Sequence, residues 1–440
     1  MFFSMSSRRL GLAACWLPFL AACSFEPARK ASTEIESKTA ISPGAAVSPN
    51  RNLSPETIIS RSPGRVEVLS PVYKIDRIFR SMTGPWTQMP VRLLESAQPE
   101  LLWITGCRVE MVDEQASRPM PEQFMCHVNL DFDMDEHKRL FGMKEYRDPR
   151  LFTLSQGQLE IRLPEGFGVP IRSDEVLEMT TQVLNLNWPD QTFKVRHRVL
   201  IDYVPDAELT RPYQPLVQCG VFGMVSLEGR EIAYDANELL YGKCPSCCVP
   251  GQKALDWAEG IDRYARRFSN HWVVAPGRWE YRTRATSTLN VTADTAIHYI
   301  AVHVHPFAES LELRDLTSGE SIFTSRARNM TDIIGLEHVD YLSSAEGVPV
   351  TKGHEYELLT TYNNTSATDQ DSMAVMYSFL LDKEYHGADL TVEAKPASTA
   401  AKSWKDAVAK DTPAASEEGL PAAPSRPTVM KMPPVTQKSP

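Results

Sequence analysis

The apolar positions of this chain fall mostly into short runs with a two-residue period. WITGCRVEMV (103 to 112), FMCHVNLDF (124 to 132), LEIRL (159 to 163), LEMTTQVLNLN (177 to 187) and KVRHRVLIDYV (194 to 204) alternate or run apolar at strand lengths. Gly, Pro and Asp punctuate them. The pattern returns in RWEYRTRATSTLNV (278 to 291), AIHYIAVHVH (296 to 305), SLELRDL (310 to 316), EYELLTTYN (355 to 363) and MAVMYSFLL (373 to 381). No crossover helices separate the strands within either group, so antiparallel sheets packed face to face are predicted. Between the groups, ALDWAEGIDRYARRF (254 to 268) sets Leu255, Trp257, Ile261, Tyr264 and Phe268 near helical spacing and predicts a joining helix. The expected fold is all-β: two antiparallel, jelly-roll-like β-sandwiches in series, with a short linking helix.

The ends of the chain read differently. Ser7-Arg8-Arg9 and the apolar stretch from Leu10 to Ala22 form an export signal too short for a comfortable bilayer span. It closes on Leu20-Ala21-Ala22-Cys23-Ser24, which looks like the lipobox of bacterial lipoproteins; by that likeness Cys23 is acylated and residues 1–23 are the signal. Ser24 leans toward the outer membrane. Residues 24–65 and 387–440 are rich in Ser, Pro, Ala and Thr without periodicity, and are expected to be a disordered tether and a disordered tail. The strands then place the first sandwich in 66–250, the linker in 251–276 and the second sandwich in 277–386. A net charge of -10 with no long basic cluster argues against nucleic acid as a partner. The membrane, through the lipid anchor, is the partner expected.

An oxidising compartment decides how the remaining cysteines read. Cys107, Cys126, Cys219, Cys244, Cys247 and Cys248 are an even set, expected to form disulfides, with Cys107 and Cys126 able to pair across consecutive strands. The turn-rich KCPSCCVPG (243 to 251) could instead supply thiolates to a soft metal.

The candidate chemistry lies in HYIAVHVHPF (298 to 307). On a strand, His303 and His305 point to one face and Val302 and Val304 to the other, so two imidazoles converge. His298 falls on the face opposite His303 by the same alternation. Met373 on the last strand is a candidate soft ligand, and His with Met favours copper over zinc or magnesium. His271 and His354 begin strands, where support of a ligand or plain surface placement is expected, and Asp371 is placed to support the Met373 loop.

VHVHP, followed after about 65 residues by YNNTSATDQDSMAVMY, resembles the second domain of the copper type II, ascorbate-dependent monooxygenases, the family of peptidylglycine α-hydroxylating monooxygenase and dopamine β-monooxygenase. The resemblance covers residues 100 to 385 and is sharpest from 270 to 382. It implies copper held by His303, His305 and Met373, with Tyr377 at the family's Tyr, a possible substrate contact. In the first domain, Leu163-Pro164-Glu165-Gly166-Phe167-Gly168 resembles the family's Leu-Pro-x-Gly-x-Gly turn and fixes a register. On that register Cys126-His127 stands where the family has a His pair, and Leu184-Asn185 follows Gln182-Val183 where it has a third His. One of three ligands remains. A rearranged remnant site would join His127 to His197. Ala301 stands where peptide-acting members carry an Arg that clamps the substrate carboxylate, so a C-terminal glycine peptide is not expected as substrate.

Two function classes follow. One is a monooxygenase-like oxidoreductase that activates dioxygen at a single copper, with two coppers as the fuller case, and draws electrons from ascorbate or another external reductant. The other is a protein that captures or delivers copper at the cell envelope without turnover. A blander third is a structural lipoprotein whose ancestral site has decayed. No Gly-rich phosphate loop, zinc-protease helix motif or Gly-x-Ser-x-Gly turn supports a hydrolase.

Overall fold

The computed structural model describes residues 57–144, 147–226, 234–235, 260–261 and 267–395. The signal, the lipobox with Cys23, and Cys244, Cys247 and Cys248 lie outside the described residues. So does most of the segment read as a linking helix; its described parts, at 260–261 and 267–269, are short strands.

In chain order the first half supplies β1 (Ile58–Ser62), β2 (Arg65–Leu69), β3 (Tyr73–Ile75), β4 (Trp86–Val91), β5 (Leu101–Asp113), β6 (Met125–Phe132), α1 (Met134–Phe141), β7 (Arg150–Ser155), β8 (Glu160–Arg162), β9 (Phe167–Arg172), β10 (Leu177–Val183), β11 (Phe193–Pro205) and β12 (Gln214–Phe222). The second supplies β13 (Val225–Ser226), β14 (Tyr234–Asp235), β15 (Gly260–Ile261), β16 (Arg267–Ser269), β17 (His271–Val274), β18 (Gly277–Arg284), α2 (Thr286–Leu289), β19 (Thr295–Val304), β20 (Ala308–Asp315), β21 (Ser321–Asn329), β22 (Leu336–Val339), β23 (Leu342–Val350), β24 (Tyr356–Asn364) and β25 (Gln370–Leu381).

The fold is all-β, two antiparallel sandwiches in series. In the first, the sheet β1-β2-β11-β5-β9 faces β4-β10-β6-β7. Their inward residues, among them Val66, Val199, Val128 and Met179, make one apolar core. In the second, β12-β25-β19-β23 faces β14-β18-β24-β20-β21-β22, with Val302, Met376, Leu313 and Leu358 between them. A short parallel contact, Gln214 to Phe167 and Pro215 to Gly168, joins the two long sheets edge to edge. β12, assigned by sequence to the first half, therefore runs along β25 from Leu216–Leu381 to Phe222–Val375 and belongs to the second sandwich.

The sandwiches share a core. Tyr299, Ala301, Met373, Val375, Tyr377 and Phe379, on one face of β19 and β25, belong to the same buried cluster as Phe152 and Leu154 of β7. Gln158 of the β7–β8 turn reaches across: its Oε1 accepts from the Val302 amide at 2.8 Å and its amide nitrogen lies 3.3 Å from the Tyr299 hydroxyl. Beside it Gly157 turns at φ 82°, and a Cβ there would stand 2.7 Å from Val339 Cγ2, so only glycine fits this crossing.

Four local expectations are corrected. The tether was expected to run to residue 65, but β1 starts at Ile58 and pairs with β2. The tail was expected from Gly387, but Asp389 to Lys395 dock on the first sandwich: the Asp389 amide donates to Leu140, Ala394 to Asp174 and Lys395 to Glu136. Cys107 and Cys126 do not pair. Cys107 lies in β5 and Cys126 at a bulge in β6 of the facing sheet, and both, like Cys219, are buried free thiols. Burial pushes the Cys126 and Cys219 thiols up to about 11, so all three behave as small apolar groups. The fourth is α1, which strand periodicity did not announce; its signals are local, Asp133 accepting from the Glu136 amide at 3.2 Å and Gly142 ending it at φ 61°.

Candidate metal centre

β19 and β25 lie side by side in register, Ala301 opposite Tyr377, Val302 opposite Met376, His303 opposite Val375 and Val304 opposite Ala374. One step further, His305 comes level with Met373. Opposed residues of an antiparallel pair point to the same face. His303 and His305 therefore share a face, as their spacing predicted, with ring centroids 5.4 Å apart. On the far side of β25, His271 of β17 is the direct cross-strand partner of Met373, and its ring lies 6.4 Å from that of His305. Three strands thus bring His271, Met373 and His305 into one row, with His303 on the next rung.

The sequence reading missed two contributors to this geometry. His271 was read as a strand-opening residue that supports a ligand or sits at the surface, not as a member of the row itself; it is buried directly beside Met373. Tyr362, on β24 of the facing sheet, is fully buried with its hydroxyl between the strands where they part. That hydroxyl accepts from the His305 amide at 3.0 Å and donates to the Met373 carbonyl at 2.6 Å. It stands in for the ladder bond His305 and Met373 would otherwise make, and pins both backbones. An aromatic at an alternating position of EYELLTTYN was the signal available, and it is the signal of any core tyrosine.

The donors are enclosed: Met373 is 1% exposed, His303 4% and His305 8%. Nδ1 of His305 lies 3.3 Å from the Asp371 carbonyl oxygen and 3.6 Å from its carboxylate. Donation from Nδ1 leaves Nε2 as the lone-pair nitrogen. Burial pushes the His305 imidazole below its ordinary pKa, against the Asp371 carboxylate, so it stays in the neutral form a metal needs. Among the described residues no three His, Cys, Asp or Glu side chains converge to hold a metal by themselves. A three-donor set therefore requires the Met373 sulfur, and two imidazoles with a thioether is a donor set suited to copper in its soft, reduced state.

The remnant first site is not assembled. His197 shares the inward face of β11 with Val195 and Val199, whereas His127 alternates with the inward Val128 and Leu130 and points to the other side of β6. At the third position Asn185 is occupied structurally, its amide donating at 2.7 Å to the carbonyls of Arg77 and Trp188. Nor do the sandwiches stand apart at the donor face. Tyr377 is 1% exposed and its ring meets Phe222 edge-on at 6.3 Å, inside the shared core.

Two further histidines are accounted for. The register of β19 slips between Ile297 and Tyr299, so His298 is a bulge residue to which strict alternation does not apply. It lies over Phe167 of the first sandwich at 4.2 Å, with Nδ1 3.0 Å from the Ser344 carbonyl, the buried, bonded role expected though not on the face expected. His354 pairs with Asp315 at 2.6 Å.

His197 is fully buried with its ring edge-on to Tyr73 at 5.7 Å. Burial pushes its pKa down to about 3. The folded state keeps it neutral where the unfolded chain, with an ordinary value of about 6.5, takes up a proton. Stability from this residue is thus fully present above pH ~6.5 and is lost by about 1.4 kcal/mol per pH unit as the pH falls toward about 3. His197→Leu should shrink the difference in urea-unfolding free energy between about pH 7 and about pH 4. An unchanged difference would contradict this account of His197.

Neither a protein-family model nor a curated protein matches the chain. Among solved structures it is similar to the major capsid protein P2 from Bacteriophage PM2, with TM-score 0.26 and 8% identity over 72% of this chain and 100% of that one. It is also similar to the STIV MCP, with TM-score 0.24 and 8% identity over 71% and 97%. A third is the Macrobrachium rosenbergii Nodavirus structure, with TM-score 0.15 and 9% identity over 79% and 97%. Likenesses at this level carry no functional argument.

Proposed function

We propose that this chain is a copper-binding lipoprotein of the bacterial envelope, anchored through Cys23, that holds one ion through His303, His305 and Met373. The observation that carries the reading is the cross-strand level of Met373 with His305, which puts a thioether and two imidazoles on one buried face. Capture or delivery of copper fits that burial better than turnover does. A buried, three-donor site holds a soft ion well and gives a substrate no open approach. The second reading, activation of dioxygen at the same copper with ascorbate or another external reductant, draws on Tyr377, which shares the donor face on β25 two rungs from Val375's neighbour Met373.

Copper content measured by elemental analysis after loading with Cu(I) tests the proposal. One copper per chain is expected, lost in both His303→Ala and Met373→Ala. Tyr362→Phe, which removes the hydroxyl between the strands, is expected to weaken binding without abolishing it. No tightly held copper in the unaltered protein would overturn the reading, and two coppers per chain would mean that the first sandwich carries a site after all.

A further inference from the structure

Outside the donor row, a cleft lined by chemistry-bearing side chains opens where the two sandwiches meet. One wall is α1 and the end of β6, another is β9 and β12 near their parallel contact, and the third is the chain after β25, including Tyr385. Junctions of this kind are where small-molecule sites concentrate. What distinguishes this one is a buried dyad. His137 Nδ1 lies 2.8 Å from the Glu175 carboxylate, and the other Glu175 oxygen accepts from the Arg172 amide at 2.8 Å. Both side chains are buried.

The imidazole is held in one orientation. Phe132 stacks on it at 4.2 Å and Phe141 lies against it at 4.4 Å, so the ring is clamped between two aromatic faces. With Nδ1–H donated to Glu175, the lone pair sits on Nε2, which makes no hydrogen bond among the described residues and belongs to the cleft lining. A carboxylate behind a histidine fixes its tautomer and ring orientation, so that the opposite nitrogen is the one presented to a ligand. Nothing in the copper reading uses this pair.

The lining sets the ligand class. Phe132, His137, Phe141 and Tyr385 form a run of ring contacts, the last of them at 6.2 Å, which suits a flat aromatic body. Charges of both signs flank it, Arg147 and Arg150 beside Asp148, Asp382 and Glu384, so neither an organic anion nor an organic cation meets a field of one sign. A neutral molecule with one hydrogen-bond donor is left. We propose that this cleft is a second ligand site, taking a small neutral phenol whose O–H donates to His137 Nε2, with Glu175 holding His137 in place. If the proton transfers, it passes from the phenol oxygen to Nε2, leaving a phenolate beside an imidazolium paired with Glu175.

The test is a titration of the full chain with 4-nitrophenol, followed by its absorption, which reports ionisation. Saturable binding with a rise in the phenolate band is expected. 4-Nitrotoluene, which has the ring without the O–H, should bind about tenfold or more weakly, the cost of leaving Nε2 unpaired in the complex. His137→Gln should bind 4-nitrophenol with a similar loss and without the phenolate band, and Glu175→Gln should reduce the band. Equal binding of the two probes by the unaltered chain would overturn the proposal, even if neither variant folds. So would the absence of saturable binding, or a phenolate band unchanged in a folded His137→Gln.

Discussion

Phe379→Ala is expected to lower the unfolding free energy by about 3–5 kcal/mol, the cost of truncating a buried aromatic, and to do so for both sandwiches in one transition. Phe379 is fully buried on β25, with its ring 5.8 Å from Phe152 of the first sandwich and 5.9 Å from Tyr299 of the second. A cavity here removes contacts from both sides of the junction. The neighbouring crossing bonds from Gln158 to β19 tie the same two bodies. Urea unfolding followed by near-ultraviolet circular dichroism and by calorimetry should give a single transition, displaced as a whole. Two transitions, with only one displaced, would show that the cores are separable and that the shared cluster adds little to cooperativity.

The second large effect is expected at Arg172, whose side chain is fully buried. Its guanidinium donates to the Asp174 carboxylate at 2.9 and 2.6 Å, to the Val392 carbonyl at 2.7 Å and to the Asp389 carbonyl. Arg172→Met keeps most of the stem and removes every one of those bonds. The partly buried Asp174 carboxylate, left with only the Ala394 amide, and two carbonyls then lose the guanidinium, at a cost of about 3–5 kcal/mol. The strap from Asp389 to Lys395 loses its main anchor, although the Lys395 amide still reaches Glu136 at 2.8 Å and Arg139 still reaches the Glu393 carbonyl at 2.8 Å. Limited proteolysis should therefore cut the variant between Asp382 and Lys395 under conditions that spare the wild type in that segment. Equal protection would mean that the remaining bonds hold the strap without Arg172.

These cases mark what could be read in advance and what could not. The strands and the shared face of His303 and His305 were legible because strand geometry is local: side chains alternate whatever the rest of the chain does. The same rule misplaced His298, because a bulge shifts the phase by one residue and is set by the partner strand. Helix α1 carried its own cap and stop signals at Asp133 and Gly142 but was too short for apolar periodicity to announce it. Its His137 acquires an interest only beside Glu175, which lies 38 residues away.

The sequence by itself determined the all-β class, the two groups of strands, and the pairing of two imidazoles on one face with a methionine available downstream. Period-two patterning and side-chain chemistry need no knowledge of neighbours. Only the tertiary structure decided which strands adjoin β25, and so that His271 and His305 flank Met373 while His127 and His197 point apart. It also decided that β12 serves the second sandwich, that Cys107 and Cys126 stay free, and that Arg172 binds the strap. Each of these depends on contacts between segments distant along the chain, where register, bulges and burial are fixed by the packing of whole sheets rather than by any one stretch of residues.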